Sequence, residues 1–358
     1  MHRVSLFIAI TSFSITCAFG EPAKSPAVGM LLPLTGNYAA VGADNKQGIE
    51  AAQDILKSKA AINLVFADSK ADPTTAVSEF RKLIDSDKVL AVYAMRGPVG
   101  MAVNPISQSS NISLLGGVGN YQFADTNKYA FQLWSKSDDE GAFLATRMAT
   151  KGYKKIALLT AEDDWPSAVS KGFREKTDKH ELELIYDQEI LPSELDFRTV
   201  ILQIKEKSPD AIFLNLALAQ LGPFIKQMRE QGVKLPIYSN FWIAKKDVVE
   251  AVGEEGLEGV RFVEMGTEFP IFKKTIETKF GSNPSGATLS AYVATILLQQ
   301  AASELATNPS PADLYAALLK QKEVRTPDGN IEIVDRCVKF PLVERTMHNG
   351  KAETVKDE

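Results

Sequence analysis

The sequence predicts an α/β protein built from two doubly wound lobes, each with a mostly parallel sheet. Short β-rich runs alternate with amphipathic helical stretches, which is the pattern of βαβ units. The alternation runs through residues 28–115 and begins again at residue 155, so two sheets are expected. A mature chain of roughly 340 residues is long enough for two lobes, each with its own hydrophobic core.

Residues 1–20 have the features of a secretory signal peptide. A short cationic start, His2 and Arg3, precedes an apolar run over 4–19, and the small-x-small sequence ends at Gly20. This pattern predicts cleavage after Gly20 and export. The alternative is a membrane anchor, but the run is shorter than the roughly 20 apolar residues that span a bilayer.

Composition and charge narrow the classes of partner. The formal net charge is −5, which argues against nucleic acid or an anionic membrane as a partner. Loss of the signal would leave one cysteine, Cys337. An internal disulfide is then impossible, so the hydrophobic core must hold the fold.

The first half contains four predicted strands, and a helical pattern follows each of the first three. The run over 89–94 is wholly apolar or aromatic, as expected of a buried parallel strand. Pro73 suits the first turn of a helix that begins after Asp72. The predicted strands are 28–32, 62–67, 89–94 and 112–115, and the predicted helices are 43–58, the segment beginning at 73, and 101–109.

The second half repeats the pattern and then becomes less regular. Apolar residues at 197, 200, 201 and 204 form one helical face. Strands are predicted over 155–160, 182–189, 211–214 and 235–239, and helices over 167–179, from 196, and around 221–228. Further helices are predicted over 270–280, 287–305 and 311–321. The segment 256–269 has a weak pattern, and 325–348 is β-rich around a Pro327-Asp328-Gly329-Asn330 turn.

Doubly wound sheets place ligands at the carboxyl ends of their strands, so the loops that follow the strands are the candidate site. They carry aromatic rings, which can sandwich a flat or apolar solute, and a few polar groups that can orient it. The alternative is that these rings only cover the core. The candidate ligand-binding residues are Tyr38, Arg96, Gly97, Val118, Gly119, Asn120, Trp165, Asn240, Phe241 and Trp242.

No catalytic, metal-binding or cofactor-binding residue is predicted. His180 and His348 lie outside the candidate loops, and G-x-S-x-G and Walker-type G-x-x-x-x-G-K motifs are absent from the sequence. Gly116, Gly117 and Gly119 either let backbone amides approach a ligand or form a plain tight turn.

Five segments together resemble the type I periplasmic binding proteins, and most closely the leucine/isoleucine/valine-binding group of ABC importers. They are residues 28–48 with the Pro33-Leu34-Thr35-Gly36 turn, 68–73, 208–213, 222–232 and 326–330. The resemblance implies two lobes joined by three crossover segments and closure on a small solute in the periplasm. It also implies delivery to a permease and ATPase complex in the inner membrane, by a monomer.

The resemblance also implies boundaries within the chain. Crossovers are expected near 131–135, 261–264 and 325–328. The N-terminal lobe is then 26–132 plus 264–325, and the C-terminal lobe is 135–261 plus 326–350.

The ligand is expected to differ from leucine. Amino-acid binders of this group resemble one another in a serine and a threonine that correspond here to Gly100 and Asn120. Their acidic residue, which takes the ammonium group, corresponds to Phe241, and one of their tyrosines corresponds to Trp165. An ammonium group enclosed without a carboxylate is costly. A carboxylate with an apolar or aromatic body, or an amide-like solute, is therefore expected.

Three classes of function remain at this point. The leading one is solute binding for an ABC importer. The second is a sensor of the same fold that signals to a membrane kinase or an envelope enzyme. The third is an exported α/β enzyme, which the positions of the histidines disfavour.

Overall fold

The computed structural model describes residues 25–56, 62–120 and 122–355. The predicted signal peptide and its cleavage site lie outside them. The first part of the chain contains β1 (Ala27–Leu32), α1 (Ala39–Leu56), β2 (Asn63–Asp68), α2 (Pro73–Asp85), β3 (Ala91–Met95), α3 (Gly97–Ser110), β4 (Ser113–Gly117), α4 (Gln122–Asp125) and β5 (Ala130–Gln132).

The middle of the chain contains the elements predicted after residue 155, and a helix before them that was not predicted. They are α5 (Ser137–Thr150), β6 (Lys155–Ala161), α6 (Asp164–His180), β7 (Glu183–Ile190), α7 (Arg198–Lys207), β8 (Ala211–Asn215), α8 (Leu218–Glu230), β9 (Ile237–Asn240), a 3-10 helix (Phe241–Ala244), α9 (Lys246–Val252), α10 (Glu254–Leu257) and β10 (Arg261–Met265).

The last part contains three helices followed by a β-rich end, as predicted. The elements are α11 (Pro270–Phe280), α12 (Gly286–Ala302), α13 (Pro311–Lys320), β11 (Glu323–Thr326), β12 (Gly329–Val334), β13 (Cys337–Val338), β14 (Leu342–His348) and β15 (Lys351–Thr354).

The strands form two separate sheets, which confirms the predicted fold class. The first sheet has the order β11-β12-β13-β5-β4-β3-β1-β2, and the second has the order β15-β14-β10-β9-β8-β6-β7. The first sheet contains six parallel strands (β13, β5, β4, β3, β1 and β2) and the second contains five (β10, β9, β8, β6 and β7), arranged as in a doubly wound fold. The remaining strands add antiparallel pairs at one edge.

The crossovers differ from the expected positions. β10 belongs to the second sheet, so the chain returns to the first lobe after Met265 rather than near 261–264. The assignment of 326–350 to the second lobe is wrong for its first half, because β12 and β13 join the first sheet beside β5. The third crossover therefore follows Val338. A hairpin pattern predicts strands but does not say which sheet they extend.

Each sheet is covered by helices on both faces, and alternate residues of each strand point to opposite faces. In the first lobe, Met30 of β1 packs towards α1, α11 and α12, whereas Leu31 packs towards α2 and α3. In the second lobe, Leu159 of β6 packs towards α7, α8 and α9, whereas Leu158 packs towards α5 and α6. Both lobes therefore have a three-layer core.

Gly42, in the first turn of α1, and Gly48, in its middle, are required by close packing. A Cβ atom on Gly42 would lie 2.1 Å from the Pro33 carbonyl oxygen, and one on Gly48 would lie 2.0 Å from the Thr288 carbonyl oxygen. These glycines let α1 touch the turn after β1 and the neighbouring helix α12.

Asp68, at the end of β2, fixes the turn that follows β1. Its Oδ1 accepts hydrogen bonds from the backbone amides of Leu34 at 2.8 Å, Thr35 at 3.3 Å and Lys70 at 2.9 Å. Its Oδ2 accepts from the Thr35 hydroxyl at 2.6 Å. Burial acts to raise the pKa of Asp68, but these hydrogen bonds outweigh burial and hold the pKa below its usual value.

The Asp68→Asn variant is expected to be less stable by about 1 kcal/mol at neutral pH, because this well solvated carboxylate accepts several charge-assisted bonds. A carboxyl group with a depressed pKa stabilises the fold above its unfolded pKa, and this stabilisation is lost as the pH falls through the folded pKa. Thermal unfolding at pH 7 and pH 3 should show a larger difference from wild type at pH 7 than at pH 3. Asp87→Asn, at an exposed aspartate, is the matched control and should show no difference at either pH.

No helix within the described ranges is both long and apolar enough to cross a membrane.

Candidate functional site

The order of strands locates a reversal point in each sheet. β1 lies between β2 and β3 in the first sheet, and β6 lies between β7 and β8 in the second. Loops that leave neighbouring strands in opposite directions open a crevice at such a point. Tyr38 and Arg96 follow β1 and β3, and Trp165 follows β6, so three predicted site residues lie beside these crevices.

Arg96 stacks on Tyr38. The Cζ atom of the guanidinium lies 3.4 Å from the centre of the Tyr38 ring, which is a close cation–π contact. Tyr38 remains 39% exposed, so the pair lies at the surface of the crevice rather than within the core. The stack fixes the plane of a cation that can bind a carboxylate through two parallel hydrogen bonds.

The backbone of Arg96 is strained, and part of its side chain is unsatisfied. Its φ of 87° lies in the region that favours glycine. Its Nε atom is buried and has no hydrogen-bond partner among the described residues. Strained backbone and unsatisfied buried donors concentrate where a site is preorganised. Arg96 also directly precedes the first turn of α3, an end of a helix that favours anions.

Four aromatic rings form one cluster at the facing edges of the two lobes. Trp165 contacts Phe241 and Trp242, with ring centres 5.2 Å and 4.8 Å apart. Phe241 also contacts Trp134, with ring centres 6.4 Å apart. All of these rings are partly buried. Trp134, Trp165 and Trp242 are the three tryptophans of the chain, so its indole fluorescence reports on this cluster.

Gly119 brings the first lobe against this cluster. A Cβ atom on Gly119 would lie 3.3 Å from Cδ1 of Trp134 and 3.4 Å from Cδ1 of Trp165. Gly119 follows β4 in the first sheet, whereas Trp165 follows β6 in the second. The two lobes therefore meet at this position, with the rings of the second lobe facing the backbone of the first.

A buried polar network supports the loops that carry Trp165 and Phe241. The Asn215 amide donates to the Pro166 carbonyl at 2.7 Å and to Ser170 at 2.8 Å. Asn240 donates to Asn215 and to the Leu216 carbonyl and accepts from the Trp242 amide. Asn240 is only 1% exposed. Its side chain positions the 3-10 helix, so a direct contact between that side chain and a ligand is not available in this arrangement.

The three remaining predicted site residues lie in different environments. Val118 is fully buried and packs against Gly100, so its side chain belongs to the core of the first lobe. Asn120 accepts a hydrogen bond from the Gln122 amide at the start of α4. Gly97 opens α3 with free space around its Cα atom.

The three glycines at and just after the end of β4 lie against different neighbours. A Cβ atom on Gly116 would lie 2.5 Å from the Phe123 ring, and one on Gly117 would lie 2.4 Å from the Met95 sulfur. These two therefore permit close packing within the lobe, which neither interpretation of the sequence anticipated. Of these three glycines, only Gly119 faces the aromatic cluster.

Trp134 is the residue of this site that the sequence analysis missed. It lies on the first crossover, two residues after the end of β5. The signal in the sequence was weak because β5 has only three residues, all of them buried, and a crossover can be located only once both sheets are known.

Two α/β lobes that meet around a ring-lined crevice define a two-lobe binding protein. Residues 26–339 match the model of a family described as periplasmic binding protein. The chain belongs to this periplasmic binding protein family.

Relatives and solved structures agree with this assignment. The Leu/Ile/Val-binding protein homolog 2 of Brucella abortus (strain 2308) is 22% identical, over 92% of this chain and 91% of that protein. The branched-chain amino acid substrate-binding protein of Streptococcus pneumoniae, solved with isoleucine, is 22% identical with a TM-score of 0.79, covering 93% of this chain and 100% of that one. An ABC transporter solute-binding protein of R. palustris, solved with 4-hydroxybenzoate, is 19% identical with a TM-score of 0.79, covering 93% and 98%. The predicted family and fold are confirmed.

Proposed function

We propose that this protein is the solute-binding component of an ABC importer and that its two lobes close on a small carboxylate with an aromatic or apolar body. Membership of the family supports the solute-binding role. The lobes, each a sheet with its covering helices, are the bodies that would close. The partner would be a permease and ATPase complex that recognises the closed form, and the solute would leave unchanged.

The observation that carries the choice of ligand is the arrangement of Arg96. Its guanidinium is stacked on Tyr38, and its buried Nε has no partner among the described residues. A ligand carboxylate would supply an acceptor for this donor and a counter-charge beside the first turn of α3. A buried donor without an acceptor destabilises the closed form, so such a ligand would favour closure by its affinity for that state.

The aromatic cluster would hold the body of the ligand. Rings at contact distance from one another can separate to admit a flat ring in an offset or edge-to-face arrangement. An α-ammonium group beside Phe241 would meet a ring rather than a carboxylate, at a cost in desolvation. This contrast favours an aromatic carboxylate, such as the 4-hydroxybenzoate bound by the R. palustris protein, over an amino acid, such as the isoleucine bound by the Streptococcus pneumoniae protein.

A calorimetric and thermal-shift comparison tests the proposal. Benzoate, 4-hydroxybenzoate and phenylacetate are expected to bind and to raise the melting temperature by mass action. Benzamide, which keeps the ring without the charge, is expected to bind at least tenfold more weakly, and leucine is expected to leave the protein unchanged. Recovery of the bound acid in unaltered form by mass spectrometry separates binding from turnover. Tight binding of leucine or valine, with the aromatic acids inert, would overturn the choice of ligand.

A further inference from the structure

Glu140 is a buried carboxyl group at the junction between the lobes. It lies in the first turn of α5, just after the first crossover, and is 2% exposed. Its Oε1 atom accepts a hydrogen bond from the Ser135 hydroxyl at 2.6 Å. Its Oε2 atom has no hydrogen-bond partner among the described residues. A buried carboxylate with one unsatisfied oxygen is costly, which favours the uncharged form.

The surroundings of Glu140 act in the same direction. The pKa of Glu140 is raised to about 8, and burial is the largest cause. The hydrogen bond from Ser135 acts against this rise, whereas the charges of Asp139 and Asp138 contribute to it. Carboxyl groups that are uncharged near neutral pH occur most often at functional positions.

No salt bridge joins Glu140 to a cation among the described residues, although two lysines, Lys136 and Lys339, line a small pocket together with Trp134, Ser135 and Asp139. Helix α6 packs on α5 through Val169, Gly172 and Phe173. The other charged groups of α5 and the crossover are Asp138, Asp139, Lys136 and Arg147. On the packed strands, Glu264 pairs with Arg345, with 2.7 Å between Oε1 and Nε. Glu344 pairs with Arg261, with 2.9 Å between Oε1 and Nη1, and with Arg147 of α5, with 3.8 Å between Oε2 and Nε. The arginines on these strands already face other carboxylates.

Trp134 connects Glu140 to the cleft. Trp134 directly precedes Ser135, whose hydroxyl donates to the Glu140 carboxyl group, and the Trp134 ring contacts Phe241 of the second lobe. Atoms of the same indole would lie 3.3 Å from a Cβ atom on Gly119 and 3.0 Å from one on Gly286, both in the first lobe. A change in the charge of Glu140 therefore acts on a ring that touches both lobes.

We infer that Glu140 is a positioning residue of the cleft. Its carboxyl group, as the acceptor of the Ser135 hydrogen bond, holds the segment that carries Trp134 in the arrangement that receives the solute. Ionisation of Glu140 adds a buried negative charge at this junction and weakens the binding of a carboxylate solute. This inference rests on the proposed function only for its effect on affinity, because the effect on Trp134 is present in the free protein.

The first experiment follows tryptophan emission of the free protein from pH 6 to pH 10. Wild type is expected to show a one-proton transition with a midpoint near pH 8. Glu140→Gln keeps the size and polarity of the neutral side chain and should abolish the transition. Asp139→Asn should retain it with a lower midpoint, since it removes a negative charge near Glu140. Ser135→Ala should raise the midpoint, since it removes a hydrogen bond that lowers the pKa.

The second experiment measures the affinity for 4-hydroxybenzoate by calorimetry at pH 7 and pH 9.5. Linkage to one proton predicts a decrease of about tenfold for each pH unit above the transition, so wild type should weaken by at least tenfold. Glu140→Gln should bind equally at both values. A merely structural role for Glu140 would not produce this difference between the two pH profiles.

Each outcome decides one of the two proposals. Wild-type emission that stays flat, or a transition that Glu140→Gln retains, overturns the role of Glu140 even if the aromatic acids bind. A transition lost in Glu140→Gln, with no binding of any aromatic acid, overturns the proposed ligand and leaves the role of Glu140 in positioning Trp134 standing. If Glu140→Gln does not fold, the opposite shifts expected for Asp139→Asn and Ser135→Ala decide the question.

Discussion

Replacing Gly172 by alanine is expected to destabilise the second lobe by about 3 kcal/mol or more. A Cβ atom on Gly172 would lie 1.9 Å from the Asp138 carbonyl oxygen, and one on Gly141 would lie 1.8 Å from the Val169 carbonyl oxygen. Each helix of the α5–α6 pair thus presents a glycine to the backbone of the other. Backbone cannot move aside like a flexible side chain, so the helices must separate, and overpacking of this kind is strongly destabilising.

Denaturation by urea, followed by circular dichroism, measures this effect. Gly141→Ala should cost a similar amount, and the double variant should cost less than the sum, because one separation of the helices relieves both clashes. Gly222→Ala is the matched control in helix α8. Its added Cβ atom meets only the Ala251 side chain, at 3.1 Å, so its stability should stay within about 1 kcal/mol of wild type. Wild-type stability of Gly172→Ala would show that α5 and α6 can separate at little cost.

The α5–α6 contact also matters for the site. Trp165 lies in the first turn of α6 and Glu140 in the first turn of α5. The two glycines therefore help to fix the distance between the aromatic cluster and the carboxyl group that accepts the Ser135 hydrogen bond. A variant that folds with separated helices should also lose the pH transition in tryptophan emission.

The fold was predictable because the buried parallel strands and the helices that cover them are recognisable from their own apolar patterns. Buried runs such as 89–94 are apolar throughout, and helices such as α8 show a regular apolar face ending near Gly232. Helix α5 was missed because its buried face includes Ser137, Glu140 and Gly141, which do not read as an apolar stripe. The third crossover was misplaced because β13 pairs with β5, some 200 residues earlier in the chain, and β12 pairs with β13; local sequence does not encode such pairing.

The site was predictable at the level of loops and less so at the level of side chains. Strand ends placed Tyr38, Arg96, Trp165 and Phe241 at the facing edges of the lobes. The same argument selected Val118 and Asn240, whose side chains turn into the core or into a buried network. Alternation along a strand stops at its last residue, so the direction of a loop side chain depends on contacts from the rest of the fold. Trp134 and Glu140 needed the crossover to be known first.

Replacing Arg96 by glutamine is expected to weaken the binding of aromatic carboxylates by at least about 100-fold, or about 3 kcal/mol. The variant removes the charge and the paired donors that a carboxylate would meet, and loss of one partner of an enclosed charge pair has effects of this size. Arg96→Lys keeps the charge without the planar fork and should fall between glutamine and wild type. Calorimetry with 4-hydroxybenzoate measures the affinities of wild type, Arg96→Gln and Arg96→Lys. Arg81→Gln, on the exposed face of α2, is the control and should keep wild-type affinity.

Stability distinguishes a ligand-binding role for Arg96 from a structural one. With φ at 87°, Arg96 occupies backbone that glycine adopts without strain. Arg96→Gly should therefore lose affinity as Arg96→Gln does, while its melting temperature stays at or above that of wild type, since relief of about 1 kcal/mol of strain offsets the lost stacking on Tyr38. A large fall in melting temperature with unchanged affinity would show instead that Arg96 serves the fold, and the carboxylate would then have to be bound elsewhere.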